Sequence, residues 1–317
     1  MNKTNTSVDT PSPLDLLPVS RAATPSQTPW SRIRKQFLLS KLATAALVVF
    51  AMLFLLAIAA PLVSPQNPYD LATVSIIDAE LKPGERSEMS QMLHVLGTDG
   101  AGRDLVSAIL YGLRISMAVG LLSALAALCM GTTVGLAAAY FGGKVDAFLM
   151  RIVDLQLSLP AILIALVLLA SLGQGVDKTL LALIIVQWAY YARNIRGAAL
   201  VEQQKEYVEA AMGQGLPALR IMFKHVLPNC MGTLIVTGTL QTAHAISLEA
   251  TMSFLGIGLP QTEPSLGLLI ANGFEYMLTN KYWICVYPGV ALVLLVGSIN
   301  LIGDRLRVVF NPKLDEV

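Results

Sequence analysis

Residues 42–63 read LATAALVVFAMLFLLAIAAPLV and contain no ionisable side chain. A helix needs roughly 20 apolar residues to cross the hydrocarbon of a bilayer, so this run predicts a transmembrane helix. Ala57 to Ala59 before Pro61 imitate a cleavage site, but secretory leaders have apolar cores of only about 7 to 15 residues close to the N-terminus. The run therefore reads as a retained anchor. On its N-terminal side, Trp30, Ile33, Phe37 and Leu38 recur at helical spacing among Arg32, Arg34, Lys35 and Lys41. That pattern predicts an interfacial amphipathic helix over 30–41, lying against anionic lipid of the bilayer. Residues 1–29 are rich in Ser, Thr and Pro and carry too little apolar surface to offset ordering entropy, so they read as a disordered cytoplasmic tail.

Five further spans are predicted over 115–140, 148–172, 180–192, 231–256 and 283–303. The fourth is short and ends in Gln187, Tyr190 and Tyr191. Pro160 inside the third removes a backbone hydrogen bond and predicts a kink. With both ends inside, only Lys82, Arg86, Arg103, Arg114, Lys178 and Lys281 of the 22 basic residues fall on the outer side. The bias of Lys and Arg toward cytoplasmic loops makes this the consistent topology of a bacterial inner-membrane, multi-pass protein. The expected organisation is an all-α polytopic chain of six transmembrane helices. It has a periplasmic loop over 64–113, a core over 114–305 containing a cytoplasmic loop at 195–229, and a cytoplasmic tail at 306–317.

The composition agrees. The chain is 55% apolar and 14% charged, against roughly 25% charged in soluble domains. A net charge of +1 provides no concentrated basic surface for nucleic acid. Cys129, Cys230 and Cys285 lack metal-ligand spacing and read as packing residues; His94, His225 and His244 form no metal-binding pair. No cofactor or metal is expected. Gly142-Gly143-Lys144 lacks the other elements of a phosphate-cradling G-x-x-x-x-G-K-[ST] loop, so any ATP hydrolysis must come from another chain.

The segment from Arg193 to Asn229 is too polar to span and too patterned to be a slack linker. It predicts a first helix over 203–212, with Tyr207, Ala210 and Ala211 on one side and Glu202, Lys205, Glu206 and Glu209 exposed. Gly213, Gly215 and Pro217 break it. A second helix over 216–226 is expected to end before Pro228. The elbow presents small residues at its apex, with Glu209, Arg220 and Lys224 around it. An ordinary amphipathic linker lying on the membrane is the alternative reading of the pattern.

Tyr207-Val208-Glu209-Ala210-Ala211-Met212-Gly213-Gln214-Gly215, followed by Phe223-Lys224-His225-Val226-Leu227-Pro228-Asn229, resembles the EAA loop of ATP-binding cassette importer permeases. The resemblance implies a type I importer permease fold, with Glu209, Ala210, Ala211, Gly213, Gly215, Arg220 and Pro228 coupling to a cleft of the ATPase. Leu96-Gly97-Thr98-Asp99-Gly100-Ala101-Gly102-Arg103-Asp104 resembles the GTDxxGRD signature of the dipeptide, oligopeptide and nickel permeases. Tyr140-Phe141-Gly142-Gly143, Ser253-Phe254-Leu255-Gly256-Ile257-Gly258 and Asn300-Leu301-Ile302-Gly303-Asp304 extend the likeness from about residue 35 to the C-terminus. The chain is most similar to the second permease subunit of such systems.

That likeness implies a heterodimer with another permease subunit, two ATP-binding cassette ATPases and a periplasmic solute-binding protein. The cargo it implies is peptide, with nickel, glutathione or opine-type solutes as alternatives. Two departures stand out: Val308-Val309-Phe310-Asn311-Pro312 replaces a frequent Asp-x-Leu-Asp-Pro, and Leu266 replaces a frequent Trp. A stand-alone secondary carrier, the rival reading, should show inverted repeats and broken helices at mid-membrane. Neither is evident.

In the outer signature, Gly97, Gly100 and Gly102 permit tight turns, while Asp99, Arg103 and Asp104 can pair with one another or meet an arriving protein. In the spans, ionisable residues mark a pathway or a packed pair. His244 and Glu249 carry both readings. Asp154, at helical spacing from Arg151, predicts a local ion pair.

Overall fold

The computed structural model describes residues 29–70, 74–87 and 91–310. The helices in chain order are α1 (Pro29–Leu38), α2 (Lys41–Val63), α3 (Leu105–Phe141), α4 (Gly143–Ser158), α5 (Ala161–Leu172) and α6 (Val176–Gln203). There follow α7 (Glu206–Gly213), a single turn α8 (Ala218–Arg220), α9 (Met231–Phe254), α10 (Leu266–Phe274) and α11 (Trp283–Phe310). A small antiparallel hairpin, β1 (Glu85–Arg86) with β2 (Leu93–His94), sits in the segment between α2 and α3.

By length and composition α2, α3 and α11 can each cross a membrane, and α4 with α5 makes a fourth candidate bent by 88°. That is fewer than the six apolar spans expected. Helices α6 and α9 are long enough, at 28 and 24 residues, but polar side chains such as Gln187, Arg193, Gln241, His244 and Glu249 dilute them.

The limits also differ. The loop expected over 64–113 closes at residue 104, because Asp104 caps α3: its Oδ2 accepts from the Ser107 N–H at 2.8 Å. At Pro160 the chain breaks into two helices rather than kinking one, with Leu159 and Pro160 extended. The short span expected over 180–192 is the middle of α6, whose polar C-terminal half stays helical. Helix α11 runs through the expected tail to Phe310. Helix α1 begins at Pro29 and closes at Leu38, since extended Ser40 opens α2 by accepting the Ala43 N–H at 3.3 Å. The remainder of the N-terminal tail and residues 311–317 lie outside the described residues.

Close backbone approach holds α3 to α6. The stretch Gly131-Thr132-Thr133-Val134-Gly135 places two glycines one turn apart on the α3 face that meets α6. A Cβ on Gly131 would lie 2.4 Å from the Trp188 carbonyl oxygen, and one on Gly135 2.4 Å from that of Ala192. Between membrane helices, where lipid is as apolar as leucine, such small-residue contact supplies packing that the hydrophobic effect cannot. Around this seam, Leu136, Ala139, Ile195 and Ala199 pack with Val208, Ala211, Ile221 and Val226, which seats the 204–230 segment on the bundle. At the opposite end Leu105, Leu113, Leu266, Trp283 and Ile284 close the core beneath the 64–104 segment. Phe37 and Ala43 pack with Val309, and Arg305 donates to the Gln36 carbonyl at 2.6 Å.

Candidate functional site

The segment after α6 is a folded elbow. Gln204 interrupts the helix, Lys205 turns extended, and α7 starts at Glu206. Glu202, expected to be exposed, is buried. It accepts from Lys205 Nζ at 2.9 Å and from the Tyr207 hydroxyl. Burial, then the Glu202 carboxylate, pushes the Tyr207 hydroxyl up to about 12, so it stays a proton donor at neutral pH. Asn229 Nδ2 donates to the Tyr207 oxygen at 3.0 Å and to the His225 carbonyl at 2.8 Å. Three separate stretches, 202–203, 205–207 and 225–229, are thereby tied at one point.

The faces of α7 differ from the expected arrangement. Val208 and Ala211 point into the bundle, whereas Tyr207 and Ala210 are exposed. Glu209, Met212 and Gly213 join Ala210 on the outside. Ala211 therefore seats the helix, while Glu209 and Ala210 stand free on the surface of the chain. Past Gly213, the Gly215 N–H donates to the Met212 carbonyl at 2.9 Å with Gly215 at φ +69°. No atom lies within 4 Å of where its Cβ would stand. The glycine serves the turn, not a packing contact.

The second arm does not stop before Pro228. From α8 the backbone stays right-handed helical into α9, passing through a π turn at Ile221–Val226 and a 3₁₀ turn at Leu227–Cys230. A proline ring clashes with the carbonyl four residues back in a regular α-helix. Widening the preceding turn removes the clash, and the Leu227 N–H bonds instead to the Met222 carbonyl, five residues back. Arg220 and Lys224 are exposed on this arm.

The signature at 97–104 forms a buried knot. Asp99 accepts from the N–H groups of Ala101 and Arg103, both at 2.9 Å, and pairs with Arg103 Nε at 2.7 Å. Asp104 caps α3 and meets His94 Nδ1 at 2.9 Å. Gly97 and Gly102 have φ of +83° and +80°. A Cβ at Gly102 would stand 2.1 Å from the Ser75 carbonyl oxygen. Gly102→Ala should therefore cost ~1–3 kcal/mol in backbone strain and displacement. The expected readout is a lowered melting temperature of the purified protein, with faster proteolysis between residues 64 and 104.

His244 and Glu249 do not share a surface. Glu249 is fully buried and accepts from Ser116 Oγ at 2.8 Å and Ser253 Oγ at 2.7 Å. His244 is exposed on the chain, its ring 6.3 Å from that of Tyr190. The partner of Asp154 is Arg193 of α6 rather than Arg151, and Asp146 binds Arg196 through both oxygens at 2.5 Å. Both pairs fasten α4 to α6. A pair across two helices cannot be read from spacing within one.

Residues 131–316 match the family model described as the binding-protein-dependent transport system inner membrane component. The chain belongs to this family of inner-membrane transport permeases. Residues 28–83 match the N-terminal TM domain of oligopeptide transport permease C. The chain is 38% identical to the dipeptide transport system permease protein DppC of Escherichia coli K12, over 92% of this chain and 95% of the relative. It is 34% identical to DppC of Alkalihalophilus pseudofirmus, over 90% and 91%. Identity to the di/tripeptide permease DppC of Pseudomonas aeruginosa is 38%, over 84% and 85%.

A chain of the MetNI methionine ABC transporter, solved in inward facing conformations, aligns with TM-score 0.53 and 21% identity. It covers 64% of this permease and 96% of that chain, a likeness of fold. Membership makes this permease a multi-pass inner-membrane protein of an ABC importer. The glycine pair at 131 and 135 is one structural feature missed in the sequence, although its four-residue spacing was visible there.

Proposed function

We propose that this chain forms half of the translocation pathway of a peptide importer. A second, distinct permease subunit completes the pathway, two ATP-binding cassette ATPases drive it and a periplasmic solute-binding protein delivers the peptide. Both termini lie on the cytoplasmic side, and so does the elbow at Glu209–Gly215, which enters the ATPase cleft. The observation carrying this reading is the elbow itself: Glu209, Ala210 and Gly213 are exposed beside a turn whose second arm, from α8, runs helical into α9. The dipeptide and di/tripeptide permeases among the relatives support peptides as cargo. The knot at 97–104 then holds the outer loop in shape for the arriving binding protein.

Ala210→Cys tests the docking. Purified with its four partner subunits, the variant should form a disulfide with a cysteine placed in the ATPase cleft, and the complex in proteoliposomes should take up a labelled dipeptide. An intact complex giving no such crosslink would remove the docking assignment. Uptake of nickel without dipeptide would remove the cargo.

A further inference from the structure

Helix α9 carries a polar stripe that the coupling and outer sites leave unused. Thr233, Thr237 and Gln241 recur every four residues, and His244 and Thr251 continue the row. At about 100° per residue all five fall within about one quarter of the helix circumference, and the row is about 27 Å long. That matches the roughly 30 Å of bilayer hydrocarbon. Asn229, Thr233, His244 and Thr251 are exposed on the chain. The opposite face of α9, with Ile235, Thr239 and Thr242, borders an apolar groove instead.

The Gln241 amide and the His244 imidazole, set against lipid, would go without hydrogen bonds at a cost. Toward the α7 end the stripe opens into a cavity of about 460 Å³, where Asn194 of α6 and Arg307 of α11 join Asn229, Thr233, Thr237 and Gln241. Gln241 Oε1 is buried with no hydrogen-bond partner among the described residues. It is an acceptor aligned with the row and lacking a donor.

We propose that this face of α9, flanked by Tyr190 and Asn194, is the surface along which the peptide travels, through hydrogen bonds to its backbone amides. The inference rests on the importer reading above. The chemistry of the row fits that cargo. The row itself holds no carboxylate, thiol or fixed cation, the one cation beside it being Arg307 of α11 at the cavity, and a single imidazole cannot chelate a metal ion. Uncharged donors and acceptors suit the peptide bond, which every peptide shares whatever its side chains. Glu249, buried on another side of α9, takes no part.

Single cysteines at Thr233, Thr237, Gln241 or His244 test this in the complete transporter in proteoliposomes, with Cys129, Cys230 and Cys285 replaced by serine. Controls are cysteines at Ile235, Thr239 or Thr242 on the opposite face. A charged, water-soluble thiosulfonate should label the row about tenfold faster than the controls, and dialanine with its binding protein and ATP should slow that labelling. Equal rates on both faces, or no protection by dialanine in a transporter that imports it, overturn the proposal. Labelled rows in a transporter that imports no dipeptide would instead fault the cargo.

If the cysteine-free protein fails to assemble, Gln241→Leu with His244→Leu in the native background replaces it. Dialanine uptake should fall about tenfold while binding-protein-stimulated ATP hydrolysis persists, with Gln241→Asn restoring uptake. Unchanged uptake in the double variant overturns the proposal equally.

Discussion

Gly215→Trp is expected to reduce ATP-driven uptake to background while leaving the permease inserted and assembled. Two features of the turn combine here. Its φ of +69° costs a non-glycine residue ~1–2 kcal/mol, a load that a folded membrane bundle can carry. The space around the glycine is open, with nothing within 4 Å of an added Cβ. An indole would stand out from the exposed face beside Glu209, Ala210 and Gly213, where the ATPase is proposed to sit. Gly215→Asn separates the two effects, because asparagine tolerates a left-handed backbone and adds little bulk. The asparagine variant should retain most uptake. Normal uptake by the tryptophan variant, at wild-type abundance in the membrane, would remove the elbow from the coupling mechanism.

Gly131→Leu should produce the largest loss of stability. Its Cβ alone would fall 2.4 Å from the Trp188 carbonyl oxygen and 2.5 Å from Tyr191 Cβ. No rotamer relieves a clash with backbone, so α3 and α6 must separate along the seam that holds Gly135 against Ala192. Overpacking in a well-filled core costs ~1–3 kcal/mol and more where backbone has to move. The expected outcome is little folded protein in the membrane, read as loss of a monodisperse peak after mild detergent extraction. A variant that eluted and melted like the parent would show that the seam is not closely packed.

How much of this was legible depended on where the physics is local. Residues 42–63 declare their helix because nothing else buries an uninterrupted apolar run. The runs at 180–192 and 231–256 showed where α6 and α9 lie but not their limits. Helix α6 extends into polar sequence that pairs with α4 through Arg193 and Arg196, and such cross-helix partners leave no trace in spacing. Helix α10, nine residues long, is too short for a span and too apolar for a loop, and it escaped notice. In α7, eight residues long, periodicity could not decide between Ala211 and Ala210 as the inward residue. The neighbours Ile195 and Ile221 decide it. Pro228 misled because proline ends α-helices, whereas here a wider turn absorbs it.

The clasp between the chain's first and last described helices has a topological consequence. Phe37 and Val309 share one small core, and Arg305 holds the Gln36 carbonyl, so the path from α1 to the end of α11 starts and finishes on the same face of the membrane. A closed itinerary of that kind permits only an even number of traverses. Helices α2, α3 and α11, the three that are long and apolar enough to cross, make an odd sum. Parity then asks the bent α4–α5 pair, α6 and α9 together for an odd number of further traverses, so none of the three can be set aside without changing the fate of another.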